Sequence, residues 1–300
     1  MRRMLVACMA LFLIAVAPVG SQAPGAEGTP VVLDVSVVDK NGPITDLRQE
    51  EFQIEDDGKK VQLTNLTAVA ASGATPADGR DIVLVLDDAG VPMAGTQAIQ
   101  IISNVFMSNM RPGDTVSVIR LHKAEDELSK DPQVALARIA AFQAGAIPFF
   151  PGETTEDYLK LVTKLSKRWA ESNTPRRHAI VCIGSPAVCS PDERDSTAPR
   201  DMYPNWVDAV TTTAKANVIA YAAIPGRVAV TGGGLVERSG GEVFAGLNNF
   251  EPAVAGVLRD LSQYYLVSYR APASKKDMRS LTVKVNRKNI TVNTRNKRGK

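Results

Sequence analysis

Histidine is nearly missing from this chain: His122 and His178 are the two in 300 residues. A Ser-His-Asp triad or a His-ligated metal site therefore has little to draw on. Ser185, in Ile183-Gly184-Ser185-Pro186-Ala187, also lacks the G-x-S-x-G elbow that presents a nucleophile. His122 and His178 fall at opposite ends of separate strand patterns. The first reads as a solvated strand-end residue and the second as a strand-start residue beside Arg176 and Arg177. An excess of one charge is missing too. Lys and Arg total 35 against 32 Asp and Glu, a net charge of +3, and Arg2 and Arg3 are part of that excess. Nucleic acid normally demands a basic face, so it is excluded as the expected partner. Cysteine is scarce. Apart from Cys8 there are Cys182 and Cys189, which either bridge in an oxidising compartment or stand as a buried strand thiol and a loop thiol. Gly232-Gly233-Gly234 lacks the lysine of a phosphate loop and reads as a helix-start turn.

The amino terminus is richer in signal. Arg2 and Arg3 precede an apolar core from Leu5 to Val16, and small residues follow from Gly20 to Ala26. This pattern is a secretory signal peptide, placed at residues 1–23. Leu5-Val6-Ala7-Cys8 has the letters of a lipoprotein box, but the apolar core lies after Cys8 rather than before it. An uncleaved anchor is the alternative, weakened by the Ala, Pro and Gly that dilute the later part of the segment. No other segment approaches a membrane span. The mature chain is expected outside the cytoplasm, secreted or periplasmic.

Three regions then separate by pattern. Residues 30–71 read as β: Val31, Leu33, Val35 and Val37 alternate with their neighbours, and Asp57-Gly58 between Ile54 and Val61 signals a hairpin. Residues 72–80 read as a linker. From 81 to 262 strands alternate with helices. The clearest helix carries Tyr158, Leu161, Val162, Leu165 and Trp169 on one side. Such alternation predicts an α/β fold with a doubly wound, mostly parallel sheet and helices on both faces. Residues 263–300 return to β. A few strands at each end bury little alone, so the two ends are expected to share a small β-sandwich; two sheets packed separately on the central region are the alternative.

The segment Asp81–Gly90 carries the site. Its apolar run, Ile82–Leu86, ends in Asp87 and Asp88 and a glycine turn, as when a buried parallel strand delivers a carboxylate to the carboxyl edge of an α/β sheet. The position resembles the metal-site strand of von Willebrand factor type A (VWA) domains, whose motif is DxSxS. The stretches VSVVDKNGPITDLRQEEFQIEDDGKKVQLTNL, LVERSGGEVFAG and LRDLSQYYLVSY, in that order, resemble the VWFA-related domain family of the acidobacterial type across nearly the whole mature chain. The resemblance implies a secreted α/β VWA domain with β extensions and no established activity. In VWA domains an Asp and two Ser on one loop, a Thr on a second and often an Asp on a third hold Mg²⁺ or Mn²⁺. Asp87 matches the first acid, and Thr154 or Thr155 the threonine. Ala89 and Val91 stand where the serines belong, and Gly184-Ser185-Pro186 replaces the third-loop acid. Too few oxygens remain for a hard cation, so the resemblance implies a degenerate site with no resident metal. Asp87 and Asp88 then read as caps of loop or helix amides; a residual weak Mg²⁺ or Mn²⁺ adhesion site using Asp87 and Thr154 is the alternative.

The expected function is a non-enzymatic secreted module that binds an unidentified protein partner without a divalent cation or other cofactor. The rim residues assigned to it are Asp87, Asp88, Val91, Met93, Thr154, Thr155 and Ser185. Val91, Pro92 and Met93 form an apolar lip, with Phe149 and Phe150 either as exposed anchors or as core. A scaffold component of an envelope assembly is the second expectation. Glu125-Asp126-Glu127 and Asp192–Asp195 read as solvated loops. The sequons at Asn65 and Asn289 read as ordinary strand residues.

Overall fold

The computed structural model describes residues 28–71, 79–123, 125–172, 176–192, 202–226, 234–246, 250–274, 276, 278–295 and 297–299. The expected leader, most of the expected linker, the Gly232-Gly233 turn and Glu193–Asp195 lie outside the described residues.

The chain opens with β1 (Thr29–Asp39), β2 (Gly42–Pro43), β3 (Phe52–Asp56), β4 (Lys59–Val61) and β5 (Leu63–Ala70). Asp57 and Gly58, with φ of 55° and 78°, make the two-residue turn between β3 and β4. Both left-handed values match what a tight hairpin of type I′ demands. The middle of the chain is β6 (Arg80–Leu86), α1 (Thr96–Ser108), β7 (Thr115–Arg120), α2 (Pro132–Ala140), α3 (Pro151–Ser172), β8 (Arg177–Ile183), α4 (Pro186–Cys189), α5 (Met202–Ala216), β9 (Val218–Ile224), α6 (Gly234–Ser239), β10 (Val243–Ala245) and α7 (Glu251–Asp260). It closes with β11 (Gln263–Ala271), β12 (Met278–Val285), β13 (Thr291–Asn293) and β14 (Lys297–Gly299).

The fold is mixed α/β. Five strands form a parallel sheet in the order β10-β9-β8-β6-β7. The two-residue period of β6 divides its side chains. Ile82, Leu84 and Leu86 pack with Ile99, Ile102 and Phe106 of α1, Ile139 of α2, and Val254 and Val257 of α7. Val83 and Val85 pack with Tyr158, Val162 and Leu165 of α3 and Trp206 and Val210 of α5. Each cluster removes a full set of large apolar side chains from water, at roughly 1.5–3 kcal/mol per fully buried residue.

The remaining strands form two antiparallel sheets, and each draws on both ends of the chain. One runs β13-β1-β11-β5, the other β14-β12-β3-β4. In the first, Leu33 lies opposite Val267; in the second, Ile54 lies opposite Val283. The two sheets share one apolar cluster with Leu33, Val35, Phe52, Ile54, Tyr265, Val267, Tyr269 and Leu281.

Arg177 and Arg295 join β1 to the α/β layer, and Arg80 ties β6 to α7. Arg80, at the start of β6, donates to the Leu258 carbonyl and, in an ion pair, to Asp114. Arg177, at the start of β8, donates to the Asp260 carbonyl and lies 3.2 Å from Asp34 of β1. Arg295 donates to the Ala214 carbonyl at the end of α5 and, at 2.6 Å, to Val32 of β1. The last carbonyls of a helix lack intrahelical partners and carry the negative end of its dipole. A guanidinium, with five donors in a fixed fork, satisfies them while reaching a second element.

These contacts set a pH dependence. Burial by itself raises the Asp114 carboxyl, but hydrogen bonds from the Arg80 side chain and from the Arg111 and Arg80 amides outweigh it and hold the group below its ordinary value. Asp126 is held down in the same way by Arg120 and Arg138 against its burial. A carboxyl depressed in the folded state adds stability that is complete above its unfolded value, about 4, and is lost as pH falls through the folded value. Urea melts are therefore expected to show stability falling as pH drops below about 4. Asp114→Asn should flatten that fall, and an unchanged slope in the variant would contradict the assignment.

Candidate functional site

The strand order reverses between β6 and β8, since the chain leaves β6 toward β7 on one side and β8 toward β9 on the other. The crevice at the carboxyl ends of such a pair is where open α/β sheets usually take ligands. Leu86 ends β6 opposite Ile183 and Arg120. The next residues of each strand therefore converge: Asp87 and Asp88 from β6, Ser185 from β8 and His122 from β7.

Asp87 is completely buried. Its Oδ1 accepts from the Ala89 amide at 3.2 Å and the Gly90 amide at 2.7 Å. Its Oδ2 accepts from the Ser185 amide at 2.9 Å and the Ser185 hydroxyl at 2.8 Å. The carboxylate thus ties its own turn to the neighbouring strand end. Two glycines permit the approach: a Cβ on Gly184 would collide with the Asp87 side chain, and one on Gly90 with Ser185.

A hard divalent cation wants about six oxygens in an octahedral array. Ala89 and Val91 offer none, and Val91 points into the core cluster beneath the loop. Both Asp87 oxygens already accept two protein hydrogen bonds each, and none of these comes from Thr154. The residues present do not fit such an ion.

Asp88, 3% exposed, meets His122 instead. His122 Nδ1 lies 2.5 Å from Asp88 Oδ1, and the His122 amide donates to Asp88 Oδ2 at 3.3 Å. His122 Nε2 faces Asp157 Oδ2 of α3 at 3.7 Å. His122 is therefore not a solvated strand-end residue. His178 is buried, stacked on Trp169 with centroids 4.8 Å apart. Nor is Asp126 a solvated loop acid: it accepts from the Arg120 amide and guanidinium, at 2.8–2.9 Å, and pairs with Arg138.

The other assigned rim residues are mostly inside. Thr154 is 3% exposed and Thr155 5%. The Thr155 hydroxyl lies 2.6 Å from the Pro151 carbonyl and 3.1 Å from that of Ala187, joining α3 to α4. Val91 is a core residue rather than part of the lip, because the loop folds back over the sheet. Of the seven residues assigned to partner contact, Met93 is the exposed one, at 71%. Phe150 at 58% and Phe149 at 37% lie in the segment leading to α3. Gly145, four residues earlier, backs onto the lip: a Cβ there would lie 3.1 Å from the Met93 amide nitrogen.

The Cys182 and Cys189 sulfurs are bonded, with Cα atoms 5.1 Å apart. The bridge runs from β8 to the end of α4 and encloses Ser185, so it braces the residue that donates twice to Asp87. Sequence reasoning missed the Asp88–His122 contact. The contact follows from register, since both residues lie two places beyond the Leu86–Arg120 pair, and the sequence carries no signal for that pairing.

No protein-family model matches the chain, and no curated protein matches it. Among solved structures it is similar to the crystal structure of the TFIIH p34 N-terminal domain, with 14% identity and a TM-score of 0.35, over 61% of this chain and 97% of that one.

Proposed function

We propose that the chain is an exported, non-enzymatic protein-interaction module: a doubly wound α/β domain of the VWA type with a β-sandwich built from its two ends, docking its partner without Mg²⁺ or Mn²⁺. The observation that carries this reading is a closed Asp87 carboxylate beside an open apolar lip. The acid that would recruit a cation is spent on Ala89, Gly90 and Ser185. Met93, on the loop that follows it, and Phe149 and Phe150, ahead of α3, are accessible. Exposed apolar groups are the material of interaction sites, and aromatic anchors dominate their energetics. Export is supported by the leader pattern and by the disulfide, which persists in oxidising compartments. A non-enzymatic role fits a His122 ring that is engaged by Asp88 and faces Asp157.

Met93→Asp and Phe150→Asp are expected to reduce capture of the partner from culture supernatant by about tenfold or more each, as anchor losses of 1.4 kcal/mol or above do. Their melting profiles should stay within about 0.5 kcal/mol of the parent, as surface changes do. Capture should be equal with added Mg²⁺ or Mn²⁺ and with neither. Capture that rises on adding either ion, or survives both substitutions, would sink the reading.

A further inference from the structure

A cavity of about 180 Å³ opens where the β1–β2 turn meets the end of α7 and the start of β10. It has room for several heavy atoms rather than a lone water, and it shares no residue with the rim. Asp260, 9% exposed, lines it. Its Oδ2 accepts from the Tyr221 hydroxyl, but its Oδ1 has no hydrogen-bond partner. Arg177 does not supply one, since its guanidinium donates to the Asp260 backbone carbonyl and pairs with Asp34. A second acid, Glu242, lines the same space. Partial burial and then the Asp260 charge push the Glu242 carboxyl above its ordinary value. Two acids held together away from bulk water call for a cation. The third acid of the lining, Asp39, is spent on the Asn41 and Gly42 amides of its own turn.

Two cations line the cavity as well. Lys40 and Arg259 are exposed, and neither makes an ion pair among the described residues. We infer that the cavity binds a small zwitterion, a free α-amino acid, with its ammonium on Asp260 and Glu242 and its carboxylate on Lys40 and Arg259. A simple cation would be repelled by Lys40 and Arg259, and a simple anion by Asp260 and Glu242. A molecule that carries both charges satisfies both pairs. An ammonium has three donors, enough for the unpartnered Asp260 Oδ1 and the Glu242 carboxylate together, and hydrogen bonds between charged groups are the strong ones. Val257 and Phe244 add apolar wall to the same space. The small volume limits the ligand to side chains of about the size of glycine, alanine or serine. The site stands whether or not a partner docks at Met93.

Titration of the full mature chain with glycine, L-alanine and L-serine tests this, followed by calorimetry and by NMR of the Gly42 and Gly256 amides that border the cavity. Saturable binding of at least one of the three is expected, with both amides shifting. Ethylamine and propionate each carry one of the two charges and should bind at least about tenfold more weakly, as loss of a hydrogen bond between charged groups does. Glu242→Gln and Arg259→Gln lie at exposed positions. Each should weaken the amino acid by about tenfold or more while melting like the parent. No saturable binding of any of the three amino acids, ethylamine or propionate binding as tightly as they do, or affinity unchanged in both variants would each overturn the inference.

Discussion

Arg177→Met is expected to destabilise the protein by about 3–5 kcal/mol, the usual result of leaving one partner of a buried ion pair behind. The guanidinium is enclosed by Asp34 at 3.2 Å, the Asp260 carbonyl and the Tyr264 ring, whose centroid lies 4.0 Å away. Burial by itself lowers its pKa, but the charges of Asp34 and Asp260 outweigh that and raise it. Methionine fills similar volume without charge, so the loss isolates the electrostatics. Asp34, 6% exposed, would keep a carboxylate with no counter-charge beside it. Its Oδ1 already has no hydrogen-bond partner. Asp34→Asn placed in the same chain should recover a large part of the loss, since removing both charges is far less damaging than removing one. Because Asp34 belongs to β1 and Arg177 to β8, the loss should appear in urea melts followed by probes in either region. A melt of Arg177→Met within about 0.5 kcal/mol of the parent would show that the joint does not depend on this pair.

Asp87→Ala is expected to destabilise by at least about 3 kcal/mol. Four donors, three amides and a hydroxyl, would lose one acceptor, and each buried donor left unsatisfied costs about 1–3 kcal/mol, less wherever water enters. Ser185→Ala removes a single bond to a charged group and should cost about 1.5–3 kcal/mol. Asp87→Asn should fall between Asp87→Ala and the parent, because its amide keeps an acceptor for one pair of donors and sets an NH₂ against the other. Denaturant melts of the three variants give the order directly. A parent-like melt for Asp87→Ala would mean that the carboxylate is not a structural tie.

Much of this was legible in the sequence, for identifiable reasons. The period of β1 places Val31, Leu33, Val35 and Val37 in one apolar cluster, although Asp34 and Ser36 on its other face are buried as well, and Ile82–Leu86 is buried up to the two acids. The reading of Asp87 as an amide cap needed only the missing oxygens at Ala89 and Val91. What was illegible depends on the neighbours of each strand. That Asp88 is clamped by His122 follows from the β6–β7 register, which periodicity does not contain. That Val91 is buried and Met93 exposed follows from how the loop folds back over the sheet. The partners of Arg80, Arg177 and Arg295 are carbonyls at distant helix ends, and a backbone carbonyl leaves no mark on the residue type. Thr154 and Thr155 matched a motif position, yet the helix phase of α3 turns both inward.

Asp87 accepts four hydrogen bonds that tie its loop to β8, and the proposed metal-free docking requires that it hold no hard cation. Calorimetric titration of the mature protein with Mg²⁺, Mn²⁺ and Ca²⁺, repeated on Asp87→Asn, tests it most directly. No saturable binding of any of the three is expected in either protein. Micromolar binding by the parent that disappears in Asp87→Asn would contradict it.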